Sequence, residues 1–153
     1  MNLHRRSFLT MSASMLAVAT TAALWPLRAL AQWARPEAAF EAKALDAAFA
    51  GLGGAPAPSS EITFMTPEIA ENGAVVPVSV SSKIPGTDQI AIVVEMNPNP
   101  LVALFMIPEG TEPTVSTRVK VAQSGKLTAA VRAGGKWYST SRETKVTLGG
   151  CGG

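Results

Sequence analysis

From Ile62 onward the apolar positions fall largely on every second residue, with Val76, Val78 and Val80 in one run and Ile90, Ile92, Val94 and Met96 in the next. A period of two places such side chains on one side of a strand. Further short runs follow at 101–107, 115–121, 127–131, 137–140 and 144–148, separated by Pro85-Gly86, Asn97-Pro98-Asn99-Pro100, Gly110, Ser124-Gly125 and Gly134-Gly135. Turn residues at that spacing predict a mainly β fold, an immunoglobulin-like antiparallel β-sandwich of about seven or eight strands. Gly134-Gly135 is the expected tight hairpin turn, because both positions accept positive φ. The runs at 90–96 and 101–107 carry more apolar residues than a strand with one buried face needs. Core burial is the reading preferred for them over an exposed partner face.

Ahead of this region the period changes. Residues 34–52 are rich in helix formers, and Ala38, Phe40, Ala44, Leu45, Ala48 and Phe49 recur at helical spacing among Glu37, Glu41, Lys43 and Asp46. This predicts one N-terminal amphipathic helix with Phe40 and Phe49 on its core-facing stripe. Gly51, Gly53 and Gly54 end it, and 56–60 reads as a linker.

The first 31 residues have a different character. Arg5 and Arg6 precede an apolar stretch from Met11 to Leu24, which is interrupted soon afterwards by Pro26 and Arg28. The stretch is too short and too rich in Ser and Thr for a membrane anchor, so the reading is a twin-arginine export signal cut after Ala31. The expected organisation is a signal peptide at 1–31, helix and linker at 32–60, a sandwich at 61–148 and a carrier arm at 149–153. Export implies a periplasmic location.

Removing the signal also changes the charge. The chain has 13 basic and 11 acidic residues, a formal charge of +2; three of the basic residues and none of the acids lie in the signal, so the mature charge is −1. The basic character of the whole chain therefore gives no ground for a nucleic-acid or anionic-membrane partner. His4, the single histidine, leaves with the signal. A Ser/His/Asp triad, a Cys/His pair and histidine ligation of zinc or haem are thereby excluded for the mature chain, and no cofactor or metal is expected.

One chemically distinctive group is left. Cys151 is the single cysteine and stands in Gly149-Gly150-Cys151-Gly152-Gly153. In an oxidising compartment it cannot form an internal disulfide, so its sulfur is free, joined to another chain or carrying something. Glycines gain little by packing and lose much entropy on ordering, which predicts a mobile arm. From Leu148 to Cys151 such an arm extends roughly 10 Å, and its narrow cross-section suits a tunnel in another protein. An exposed thiol with a pKa near ~8.5 is only slightly ionised at neutral pH, so the chemistry has to be supplied by the enzymes it visits. A thiol-dependent enzyme acting alone is disfavoured because a mobile arm forfeits fixed geometry. Two alternatives stay open, a tail with an incidental cysteine and a structural dimer stapled by a disulfide through Cys151.

The terminus from Val146 to Gly153, together with the export arginines, helix and sandwich, resembles the SoxY family of thiosulfate-oxidation sulfur carriers. The likeness extends to Pro67-Glu68-Ile69-Ala70-Glu71-Asn72-Gly73-Ala74-Val75-Val76-Pro77-Val78, to Asn97-Pro98-Asn99-Pro100 and to Ser116-Thr117-Arg118-Val119-Lys120. The resemblance implies a non-catalytic subunit that holds S-thiosulfonate and related adducts on Cys151 and pairs with a smaller subunit, SoxZ. It further implies transient encounters with a c-type cytochrome SoxAX, a dimanganese hydrolase SoxB and a sulfane dehydrogenase SoxCD, in which the haem and manganese would sit.

Overall fold

A computed structural model describes residues 35–147, which from Pro36 onward belong to one compact unit. Two short helices, α1 (Glu37–Glu41) and α2 (Leu45–Gly51), precede nine strands. These are β1 (Ala57–Pro58), β2 (Ile62–Met65), β3 (Ile69–Ala70), β4 (Val76–Ser82), β5 (Thr87–Val94), β6 (Leu101–Met106), β7 (Thr114–Val119), β8 (Gly125–Ala133) and β9 (Lys136–Val146). The larger sheet runs β1-β9-β8-β5-β6, with β3 also paired to β9, and the smaller runs β2-β4-β7. The expected antiparallel sandwich is present, apart from the parallel pairing of the two-residue strands β1 and β3 with β9.

Burial explains the apolar excess of β5. Ile90, Ile92 and Val94 meet Leu127, Ala129 and Val131 of β8 and the inward residues Phe64, Val76, Val78 and Val80 of the smaller sheet. On the opposite face Ala91, Val93 and Ala130 pack under the helices, against Ala39, Ala48 and Phe49. The central strands are therefore buried on both faces and read as continuous rather than alternating apolar sequence. Leu101 joins the helix-side cluster, whereas Val102 to Phe105 on the edge strand β6 are half-buried and Met106 is exposed.

The single expected helix is two. Ala42 and Ala44 are extended, with ψ of 140° and 150°, and the break resets the helical phase. Ala39 is consequently buried, while Ala38 and Ala44, which a continuous helix would turn inward, are exposed. Side chains hold the break in place. Asn99 Nδ2 donates to the carbonyls of Phe40 (2.9 Å) and Ala42 (3.4 Å), satisfying acceptors at the end of α1. Where α2 crosses α1, a Cβ on Gly51 would lie 2.7 Å from the Cα and N of Ala39, so only glycine permits this approach. Trp137 of β9 donates from Nε1 to the Leu52 carbonyl at 3.0 Å, tying the helices to the sheet.

Two further differences concern strands. Residues 136–146 form one continuous strand instead of two short runs, because the polar and exposed residues Ser141, Arg142 and Glu143 keep their backbone pairing with β8. Ala57–Pro58, within the expected linker, pairs with Tyr138 and Ser139 as an edge strip. At the β8–β9 turn Gly134 and Gly135 have φ of 57° and 76°, the left-handed pair a two-residue hairpin demands. No helix among the described residues is long and apolar enough to cross a membrane.

Candidate functional site: the root of the C-terminal segment

Cys151 and its flanking Gly149, Gly150, Gly152 and Gly153 lie outside the described residues, as do Arg5 and Arg6. What is described is the place from which the cysteine segment departs, at the end of β9. The pairing with β8 stops at Gly125 opposite Thr144. Beyond that point the chain is held from both sides by other groups.

On one side lies β3, parallel to β9 with Ile69 opposite Lys145 and Ala70 opposite Val146. Lys145 N donates to the Glu68 carbonyl at 2.8 Å and Thr147 N to the Ala70 carbonyl at 3.1 Å. On the other side the Ser124 hydroxyl takes the place of a strand, accepting from Val146 N at 2.8 Å and donating to the Val146 carbonyl at 3.4 Å. Backbone donors of successive residues thus alternate between the two sides, as in a regular sheet, for three residues past the last β8 pair. Beneath them the hydroxyl of the fully buried Thr144 donates to the Pro67 carbonyl at 3.0 Å, with Thr66 Oγ1 at 3.1 Å.

The turn after β3 closes the root from a third direction. Asn72 caps a 3-10 turn over Gly73–Val75 by accepting from Ala74 N at 2.9 Å. Gly73 accepts from Val121 N at 2.7 Å and sits so tightly that a Cβ there would be 2.5 Å from the Val121 oxygen and 2.9 Å from Val146 Cγ1. The loop carrying Val121 is itself braced by Asn97, whose side chain donates to the Lys120 carbonyl and accepts from Ala122 N, both at 2.8 Å. Hydrogen bonds therefore lead from the Asn97-Pro98-Asn99-Pro100 loop to the end of β9, while Asn99 holds the helices.

The model of the family described as sulfur oxidation protein SoxY matches residues 47–151, more than half of the chain and inclusive of the cysteine. The chain belongs to the SoxY family. A solved structure of the sulfur carrier protein SoxY from Chlorobium limicola f thiosulfatophilum is 44% identical, with a TM-score of 0.62 over 71% of this chain and 96% of that one. The soluble domain of PmoD from Methylocystis sp. also matches, at 12% identity and a TM-score of 0.36 over 56% of this chain and 89% of that one. Curated protein sequences give no match.

The segments of this SoxY chain that carried the resemblance converge on the root. Residues 67–78 supply β3, the capped turn and the start of β4; Asn97 braces the neighbouring loop; 116–120 lead into it along β7. Sequence reasoning missed β3 and Ser124 as elements of the site. Two-residue strands have no periodicity to detect, and Ser124-Gly125 has the composition of an ordinary turn. Among the described residues no group of three or more His, Cys, Asp or Glu side chains is placed to hold a metal. The described ion pair, Arg132 bidentate on Asp88 at 2.9 and 2.7 Å, links β8 to β5 and raises the arginine pKa through that hydrogen bonding.

Proposed function

We propose that this chain is a periplasmic sulfur carrier subunit, without turnover of its own, that holds thiosulfate-derived intermediates covalently on Cys151. The observation that carries the reading is a family match that includes the cysteine, which stands four residues beyond Thr147, a described residue whose backbone amide is held by β3. Such a segment delivers a tethered sulfur while the domain behind it keeps its shape. The Chlorobium relative is a sulfur carrier protein, which supports the assignment.

The arm is proposed to comprise Gly149, Gly150, Cys151, Gly152 and Gly153, with glycine on both sides giving it the freedom to enter a narrow cleft. SoxZ is the proposed stable partner, and SoxAX, SoxB and SoxCD the enzymes visited, supplying the oxidant, metal or base that an isolated thiol lacks. Arg5 and Arg6 are proposed to direct export by the twin-arginine route. That route passes folded proteins, so a partner lacking a signal would leave with this chain.

Intact mass spectrometry of periplasmic material tests the carrier role. Labile additions of sulfur or sulfonate confined to the C-terminal peptide are expected. A mass that is only doubled, and that collapses under reductant, would instead establish the disulfide-stapled dimer.

A further inference from the structure

Of the six methionines, three lie within the first 31 residues, and the other three, Met65, Met96 and Met106, are all exposed. A thioether open to solvent is a target for oxygen-atom donors, which turn a flexible apolar side chain into a polar one. Where each sulfur is placed decides what that conversion does. Met65 is opposite Ser79 on β2, and Met106 is opposite Gln89 on the edge strand β6. Met96 is 46% exposed, in the turn after β5, and its side chain lies directly against Gly125, the first residue of β8. A Cβ built on Gly125 would be 2.5 Å from Met96 Cγ, 3.6 Å from its Cβ and 3.8 Å from its Sδ, and these are the three nearest atoms. Gly125 has no left-handed φ that would call for glycine, so its missing side chain makes room for the methionine. The thioether thus covers Gly125 on one side while it stays open to solvent on the other.

Both neighbours of this contact serve the root. Ser124, one residue before Gly125, bonds the amide and the carbonyl of Val146, and Gly125 itself is the last partner of β9, opposite Thr144. Asn97, one residue after Met96, holds the loop whose Val121 amide donates to Gly73. We infer that Met96 is an oxidation site through which a hydroperoxide loosens the root of the C-terminal segment. The thioether sulfur attacks one peroxide oxygen and the O–O bond breaks. The sulfur, oxidised by two electrons, keeps that oxygen, and the second oxygen leaves as water or an alcohol. The sulfoxide is polar and hydrated, so it withdraws from the Gly125 face into solvent. With that cover gone, the Ser124-Gly125 corner moves more freely and the hydroxyl holds Val146 less firmly. The effect belongs to the domain alone and goes beyond the carrier reading, since it does not depend on what Cys151 holds.

To test this, the full exported protein, with any subunit that copurifies, is alkylated at Cys151 with iodoacetamide and then treated with hydrogen peroxide. Peptide mapping reads the sulfoxide at each methionine, and hydrogen exchange reads the Val146 amide. Exchange at Val146 is expected to rise roughly two- to tenfold in molecules carrying the Met96 sulfoxide, the range for loss of one hydrogen bond. Methionine sulfoxide reductases for both epimers, supplied with dithiothreitol, should return it to the starting rate. Met96→Leu keeps an apolar cover that takes no oxygen, so its Val146 exchange should not respond to peroxide even when Met65 and Met106 are oxidised. Met65→Leu and Met106→Leu should respond as the wild type does. Met96→Gln, polar without oxidation, should exchange faster before any peroxide is added. A Met96 sulfoxide that leaves Val146 unchanged, or a Met96→Leu protein that responds like the wild type, would overturn the inference, as would a Met96 that stays reduced while Met65 and Met106 oxidise. Because the thiol is blocked throughout, none of these results bears on sulfur adducts at Cys151, and the carrier reading stands or falls separately.

Discussion

Gly73→Ala is the sharpest probe of the root, because the added methyl has no room on either side. Its Cβ would meet the Val121 carbonyl oxygen at 2.5 Å and Val146 Cγ1 at 2.9 Å. The first neighbour is backbone already hydrogen-bonded to Gly73, and the second belongs to the last residue of β9, so one of them has to move. Overpacking of this kind costs about 1–3 kcal/mol, which for a domain of this size corresponds to a melting temperature lower by about 4–12 °C. A control separates contact from backbone strain. Gly134→Ala places alanine at φ 57° with nothing within 4 Å of the new Cβ, so its cost of about 1–2 kcal/mol is conformational alone and arises at the far end of β9. Hydrogen exchange distinguishes the two. Gly73→Ala should speed exchange at the amides of Val121, Val146 and Thr147, whereas Gly134→Ala should leave these unchanged relative to the rest of the sheet. A Gly73→Ala protein that melts within about 1 °C of wild type and keeps its exchange pattern would refute the close packing on which the description of the root depends.

Four other outcomes are expected. Ser124→Ala should speed exchange of the Val146 amide by roughly two- to tenfold, the loss of one hydrogen bond at a solvent-accessible site, with little change in melting temperature. Gly51→Ala should destabilise by about 1–3 kcal/mol in thermal or denaturant unfolding, because its Cβ would overlap the backbone of Ala39. Cys151→Ser should abolish every sulfur adduct seen by mass spectrometry while the melting temperature stays within about 1 °C, as expected for a residue of the proposed arm. Replacing Arg5 and Arg6 by Lys should strand both this chain and its partner subunit in the cytoplasm, and fractionation that finds the partner still exported would refute shared export.

Much of the sandwich was legible because Val76, Val78 and Val80 alternate strictly, and their outward neighbours Pro77, Ser79 and Ser81 are on the exposed side. Ile90 to Val94 was legible as core but not as a strand buried on two sides, since that depends on the helices arriving over Ala91 and Val93 from elsewhere in the chain. The same tertiary cause broke the helix. Ala42 to Ala44 has good helix formers, yet Asn99 and the contact between Gly51 and Ala39 stabilise a turn there. The cysteine of the candidate site stood out through composition alone. Its root did not, because Ser124, β3 and Gly73 act through a few isolated hydrogen bonds and one close contact that leave no repeating pattern.

The position of the root has a consequence for delivery. A tethered group is presented at an effective concentration that falls roughly as the −3/2 power of the length of its free chain. On the proposed carrier reading, four steps lie between Thr147, the last described residue with a held backbone amide, and the sulfur. Releasing Val146 and Thr147 would make it six, extending the reach by about 7 Å while lowering the effective concentration near the root to about half. Ser124 and β3 therefore set a balance between reach and local concentration that the length of the sequence does not determine. A Ser124→Ala change that loosens the end of β9 should accordingly favour deep partner sites and weaken presentation at shallow sites close to the root. Those opposite effects from one hydroxyl would distinguish a root that sets arm length from one that merely adds stability.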